Sequence, residues 1–593
     1  MATKTYQVQA WNLDELFSSF EDLQIEATIE RVETNVQALE ALRPELSSET
    51  RGQTLRQFLD GYEGISRQLS RLAAYAGLRF SADTQDQRAQ TFQARMRQLM
   101  AEVDNRTLFF KLWWKALADE EAERLLSEAG DYVYWLEALR LQKPYTLTEP
   151  EEKIINLKDV NGPHALVTLY ASITNRYVFR LDVDGEEREF TRGQLSTYVM
   201  GPNPDLRAGA YQEMYRVYGD EAPVLGQIYQ AIVRDWHSEQ VQLRGFDNPI
   251  AVRNLANHVP DEVVDTLLDV CQANAPLFQR YFQLKAEWLG MDKLRRYDVY
   301  APVAEADVDY PYQEAIDRIL ASFEEFDPQV AALATRVLDE DHIDSQVRKG
   351  KRDGAFCATV TPDLTPYVLA NYQGKARDVA TIAHELGHAV HSLLASDHNA
   401  LTQSSSLPLA ETASTFSEML LVDRMLSQDP NPAVQRDLIL RQLDDNYATI
   451  MRQAYFAMFE KTAHQAIRQG ASVDDLSGLY LENLTGQFGD TLELADEFRY
   501  EWVSIPHFYN SPFYVYAYAF GQLLVLSLYQ RYQQEGDSFK PAYLDILRAG
   551  GSAAPMDILD RAGVDVRRAS FWQGGFDVIA ATMRRLEALQ VPS

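Results

Sequence analysis

The chain has 593 residues, a formal net charge of −31 and a pI near 4.7. An acidic field of that size repels phosphate backbones and anionic lipid, so neither nucleic acid nor a membrane is expected as a partner. With 46% hydrophobic and 24% charged residues the chain is a folded globular protein, and its two cysteines, Cys271 and Cys357, exclude a disulfide framework and a four-thiolate zinc site.

The first twenty residues hold no basic stretch followed by an apolar one, so no secretion signal is expected. No apolar run approaches the roughly 18 residues of a membrane span. The nearest, YVYAYAFGQLLVLSLY, is interrupted by tyrosines and Gln522 and reads as a core helix. Two buried free thiols suit a reducing compartment, and a cytoplasmic location is expected. Oligomeric state is not legible.

Residues 12–130 repeat apolar positions at helical spacing with few prolines, which predicts a bundle or solenoid of helical hairpins. Residues 1–115 are expected as an N-terminal helical lobe, 116–200 as a helical linker region, and 201–593 as the remaining, largest domain. Within the linker, Tyr177–Val183 and Glu186–Phe190 flank Asp184-Gly185, the dipeptide that a tight type I′ hairpin turn favours. A second β-rich stretch runs from Ala355 to Tyr372. A helix is expected from about Arg377 to Ala395, and helical periodicity continues to the C-terminus.

The informative segment is TIAHELGHAVH, residues 381–391, which contains His-Glu-x-x-His. On an ideal helix His388 falls about 40° from His384 and Glu385 about 100° from it, while Val379, Ile382, Leu386, Val390 and Leu393 fall at roughly 160–240°. The apolar stripe therefore packs inward and both imidazoles face away from it, one turn apart, where they can converge on one tetrahedral ion with the glutamate beside it as general base. The plain alternative is a helix with two solvated or core histidines.

A catalytic zinc needs a third protein ligand. His391 is close in sequence, but it lies roughly 10 Å along the helix axis from His384, too far for three rings to share an ion with about 2.0–2.1 Å bonds unless the helix unwinds. The next predicted helix, LPLAETASTFSEMLLVDRML, carries Glu411 and Glu418 opposite its apolar face. Glu411 is the expected third ligand, with His391 the less favoured choice and otherwise expected to support the ligands from behind or to be structural. Glu418 is expected to accept from a ligating imidazole and orient it, or else to lie on a solvated face. Late in the chain, PHFYNSPFYVYAYAFG (residues 506–521) gathers His507, Tyr509, Tyr514, Tyr516 and Tyr518. Ser511-Pro512 resembles an N-cap followed by a first-turn proline. If a helix starts there, Tyr514 and Tyr518 share a face. Such a cluster is either an aromatic core stripe or a set of hydroxyl donors for an oxyanion.

These motifs together resemble the M3 family of zinc peptidases, in particular its oligoendopeptidase F group. The resemblance is carried by DVATIAHELGHAVHS (378–392), PLAETASTFSEML (408–420), FRYEWVSIPHFYNSPFYVYAYAFG (498–521), YDVYAP (297–302) and MRQAYFAMFE (451–460). It implies a mainly α, two-lobed zincin-type fold with a small β-sheet beside the active-site cleft, and makes 201–593 the catalytic domain. It implies one zinc ion on His384, His388 and Glu411, with Glu385 catalytic. His507 and Tyr514, and less directly Tyr518, match the family's transition-state residues. The strand GAFCATV resembles the cleft-lining part of the sheet, so Gly354, Ala355 and Phe356 are expected to bind substrate by adding the peptide to its edge. The function implied is a zinc endopeptidase for short unfolded peptides. A zinc carboxypeptidase or dipeptidyl carboxypeptidase on a similar fold is the alternative within enzymes, and a non-catalytic peptide-binding protein the alternative outside them.

Overall fold

The helical periodicity of the first third of the chain is realised as three long helices, Leu23–Leu42, Gly52–Ala82 and Gln87–Ala116, in a computed structural model that describes residues 5–303, 308–428 and 431–589. Local chemistry sets two of their starts. Asp22 and Asp86 accept from the backbone N–H groups of Gln24 and Arg88, satisfying donors that a helix N-terminus leaves free. Their apolar faces meet around Phe58, Phe110 and Trp114, with the Phe58 and Phe110 rings stacked at 4.0 Å.

The chain divides into two compact units, each made of three separated stretches. One comprises Met1–Lys143, Asp307–Gln428 and Arg531–Val564, the other Pro144–Ala306, Asp429–Gln530 and Asp565–Ser593. Compactness thus follows a different division from the consecutive one into 1–115, 116–200 and 201–593. The mainly α expectation holds: helices dominate both units, and the strands are few and short.

In the first unit a three-stranded sheet has Tyr367–Leu369 at its centre, parallel to Ile343–Asp344 and antiparallel to Phe356–Ala358. Phe356–Ala358 is therefore an edge strand. Trp11, Leu13, Leu16 and Phe17 pack beneath the sheet with Tyr75, Tyr367 and Leu369. The helix expected near Arg377 spans Ala376–Leu394 and buries Val379, Ile382, Leu386, Val390 and Leu393, the stripe read from the sequence.

In the second unit the hairpin pairs Phe179–Val183 with Glu186–Phe190, and Asp184 and Gly185 take φ of 58° and 83°, as a primed turn requires. Here Cys271 is buried; Cys357, in the first unit, is only partly so, because it sits on the edge strand beside a cavity. Both are free thiols. Among the described residues no helix is long and apolar enough to cross a membrane.

Candidate metal centre

Two helices build the site in the first unit. Ala376–Leu394 carries His384, Glu385 and His388, and Thr412–Gln428 carries Glu418. Glu411 sits one residue before the second helix rather than within it, where the chain turns in from the short helical turn Leu407–Leu409. Gly387 lets the two helices meet. A Cβ there would lie 2.6 Å from the Ala413 carbonyl oxygen and from the Ser414 Cα, so no other residue fits without moving a backbone.

The approach brings the expected ligands together. Glu411 Oε2 lies 3.3 Å from His384 Nε2 and 3.3 Å from His388 Nε2. The ligand atoms of all three residues fall within 4.8 Å of one another. A tetrahedron with arms of about 2.0–2.1 Å has edges of about 3.3–3.4 Å, so the carboxylate stands from each ring at the separation two ligands of one zinc would have. Three groups that ligate through lone pairs, gathered beside a cavity, fit a divalent cation. On the far side of the first ring, His384 Nδ1 lies 3.4 Å from Glu418 Oε2, the outer carboxylate expected to orient it.

The electrostatics agree. Burial works against a charge on His384, but Glu411 and Glu418 outweigh it and push the ring up to about 10. Burial likewise disfavours the Glu411 carboxylate, yet hydrogen bonds and charge from His384 and His388 hold it well below the usual carboxylate range. Burial raises Glu385, opposed by His384, His388 and a hydrogen bond from the Cys357 backbone. In the metal-free cluster the two carboxylates thus favour a positive charge on the His384 ring.

A cavity of about 450 Å³ opens on these groups, lined by Ala355, Phe356 and Cys357 of the edge strand together with His384, Glu385, His388 and Glu411. Gly354 takes φ +81° just before the strand and is not part of the lining. His391 borders the same cavity but stands outside the three-residue group. It is buried, its Nε2 has no hydrogen-bond partner among the described residues, and burial with the adjacent His388 pulls it down to about 4.

His507, Tyr514 and Tyr518 lie in the second unit and form a cluster there. Ring centroids are 6.1 Å apart for His507 and Tyr514 and 5.4 Å apart for Tyr514 and Tyr518, and the Tyr518 hydroxyl is 3.4 Å from His507 Nε2. The helix does not start at Ser511-Pro512. It spans Tyr516–Glu535, because Phe513 takes a left-handed φ of +59° that interrupts helical geometry, and Tyr514 sits in the turn before it. Tyr516 and Tyr509 are buried, in keeping with the core alternative for those two.

Two contributors escaped the sequence reading. Ser414 donates a 2.7 Å hydrogen bond to the Glu411 oxygen that faces both rings. Its spacing of three from Glu411 was visible but is shared by any serine near a helix start. Gly387 was also visible, as a glycine in mid-helix, a placement that costs about 1 kcal/mol against alanine and calls for a packing reason.

The family model for Peptidase family M3 matches residues 198–578, and the model for the N-terminal part of the group, Oligopeptidase F, matches residues 113–179. The chain belongs to peptidase family M3. It is a metalloendopeptidase of the oligoendopeptidase F group, and the family implies a bound metal. Among relatives, the chain is 30% identical over 550 residues to the group B oligopeptidase PepB of Streptococcus agalactiae, covering 91% of this chain and 90% of that protein. It is 27% identical to the oligopeptidase PepF of Bacillus subtilis, over 94% and 83% of the two chains. Among solved structures, one from Chlamydophila abortus superposes with a TM-score of 0.89 at 25% identity, over 98% of this chain and all of that one. The oligoendopeptidase-F of Enterococcus faecium gives 0.71 at 22% identity, over 95% and 98% of the two chains, a likeness of fold.

Proposed function

We propose that the protein is a zinc endopeptidase that cuts internal bonds of short, unfolded peptides in the cytoplasm. The observation that carries the reading is the Glu411 carboxylate standing 3.3 Å from each of two imidazoles, with Glu385 beside them on the wall of a cavity. His384, His388 and Glu411 would hold the ion. Bound there, zinc would supply a Lewis acid that acidifies water and polarises the scissile carbonyl. Imidazole with carboxylate suits zinc better than it suits calcium or magnesium.

The chain's own groups do the rest. Glu385 takes the proton of the attacking water on its carboxylate and passes it to the departing amine. Burial raises its pKa above the ordinary carboxylate value, and a hydrogen bond from the Cys357 backbone opposes the rise. The edge strand Phe356–Ala358 is paired on one side only and offers its other edge to an extended peptide, with Ala355 and Phe356 on the wall and Gly354 giving the turn into the strand. Glu418 fixes the His384 ring. His507 and Tyr514 are assigned as hydrogen-bond donors to the oxyanion, with Tyr518 supporting His507.

The test is a short peptide blocked at both ends, incubated with and without chelator, with products identified by mass. Internal cleavage that chelation stops and zinc restores is expected. Trimming only of a peptide with a free C-terminus would move the assignment to a carboxypeptidase. In the same assay Glu385→Gln should lower turnover by about 10²–10⁴-fold while the purified protein retains its metal. Near-normal hydrolysis by that variant would remove Glu385 from the mechanism.

A further inference from the structure

The turn that carries Tyr514 is held in an unfavourable conformation. Phe513 takes φ +59° without being glycine, a backbone state that bulky side chains keep only where the surroundings enforce it. The enforcing group comes from the helix Arg452–Arg468. Glu460, fully buried, accepts the Phe513 backbone N–H at 2.9 Å through Oε1. Its Oε2 finds no hydrogen-bond partner among the described residues. Burying a carboxyl for a single backbone donor is a costly arrangement, since any neutral acceptor would satisfy that donor. Burial pushes Glu460 up to about 8, with Phe513 and Arg253 pulling the other way.

The opposite side of the turn is clamped as well. Arg253 donates to Ser511 Oγ at 2.7 Å, and its guanidinium stands 5.9 Å from the centroid of the Tyr514 ring. One residue beyond Tyr514, Val515 is buried, and at the next position Asn257 donates to the Tyr516 hydroxyl at 2.9 Å. The His464 ring, one helical turn from Glu460, packs on Phe513 at 4.6 Å. Every restraint on the segment converges on the residues flanking Tyr514. Releasing the Phe513 N–H would let φ relax to negative values and swing the following side chain.

We propose that Glu460 is a positioning residue for peptide hydrolysis: by gripping the Phe513 N–H it locks the left-handed turn that aims Tyr514, while Arg253 clamps the same turn through Ser511. The proposal rests on the assignment of Tyr514 as an oxyanion donor.

The test is steady-state kinetics of the zinc-loaded full chain on a doubly blocked peptide, with Glu460→Ala and Glu460→Gln each made beside Tyr514 and in a Tyr514→Phe background. Tyr514→Phe should lower kcat more than it changes KM. Glu460→Ala should lower kcat by about 10–100-fold with KM within about threefold, as expected for misplacement of a group needed in the transition state. Glu460→Gln should stay within about threefold of the parent, because its amide oxygen still accepts the N–H. In the Tyr514→Phe background Glu460→Ala should change kcat by less than about twofold, since little remains to be aimed. An unchanged kcat in Glu460→Ala, or an equal loss in both backgrounds, overturns the positioning role and leaves the Tyr514 assignment standing. A silent Tyr514→Phe overturns the assignment itself, and the positioning role with it. Should Glu460→Ala fail to fold, Glu460→Asp decides. Its shorter side chain keeps the buried carboxyl but withdraws it from the Phe513 N–H, and a kcat loss that vanishes with Tyr514→Phe supports the proposal, whereas a persistent loss or none defeats it.

Discussion

Each unit holds a glutamate between two basic side chains, and the two arrangements behave in opposite ways. In the second unit Glu501 accepts from Arg296 at 3.0 and 3.2 Å, from Arg452 at 3.0 Å and from the Tyr480 hydroxyl at 3.0 Å. Arg296 and Glu501 are almost wholly buried, and the guanidinium also lies 4.8 Å from the Phe498 ring centroid. In the first unit Glu411 faces His384 and His388, all three bordering an open cavity. Arginine does not surrender its proton, so the Glu501 cluster keeps its charges. Histidine does, so the Glu411 cluster can exchange a proton for a metal ion. What separates structural charge from chemical charge here is the base chosen and its access to a cavity, since the acid is the same.

Exchanging the same acid for its amide in both places gives the largest expected contrast. Glu501→Gln leaves the buried Arg296 and the half-buried Arg452 without their counter-charge, and about 3–5 kcal/mol of unfolding free energy should be lost. Metal content per folded chain should not change. Glu411→Gln should lose metal and turnover, while the metal-free protein loses only the stability that the Glu411–His384 pair supplies, less than Glu501→Gln loses. Urea titration and metal analysis on both variants measure the contrast. Equal stability losses would mean that the Glu411 cluster also holds the fold together. A smaller effect is expected at Ser414, whose hydroxyl steadies the Glu411 oxygen that faces both rings. Ser414→Ala should weaken metal binding by about 10–100-fold with no comparable loss of fold stability. Unchanged affinity would reduce Ser414 to a helix-start hydrogen bond.

How far these features could be read in the sequence depends on the distance over which each is decided. The His384 helix was legible to within a residue at either end, because the apolar stripe and the motif agree in phase over about four turns. The hairpin was legible because Asp184-Gly185 is a local solution to a local problem. The sheet was seen only as a β-rich stretch. Its strands are two or three residues long, too short for a period, and their order depends on Ile343–Asp344 arriving from a distance. The start of the Tyr516–Glu535 helix was missed for a related reason. Ser511-Pro512 is a sound local start signal, but Glu460, some fifty residues earlier, imposes a different conformation on Phe513. Likewise nothing local to Gly387 announces that the Ala413 carbonyl will press against it.

Acidity gives the expected effect that reports most directly on the exchange of proton for metal. His384, pushed up to about 10 by its two carboxylates from an ordinary 6.5, is an imidazolium at neutral pH in the metal-free protein. A raised group of this kind adds stability that is fully present below pH 6.5 and is lost as pH climbs through about 10. Glu411, held below its ordinary 4.5, adds stability above that value and loses it as pH falls through the lowered one. A metal must evict the His384 proton, so apparent affinity should rise about tenfold per unit between about pH 6 and pH 8. Competition against a chelator of known proton affinity measures that slope. In Glu418→Gln one of the two carboxylates that hold the proton is gone, and the slope should flatten toward the upper end of the range. A slope absent from the parent protein would mean that His384 is already neutral and that Glu411 faces no proton. A slope unchanged in Glu418→Gln would assign the proton to Glu411 alone and leave Glu418 as an orienting group without electrostatic weight.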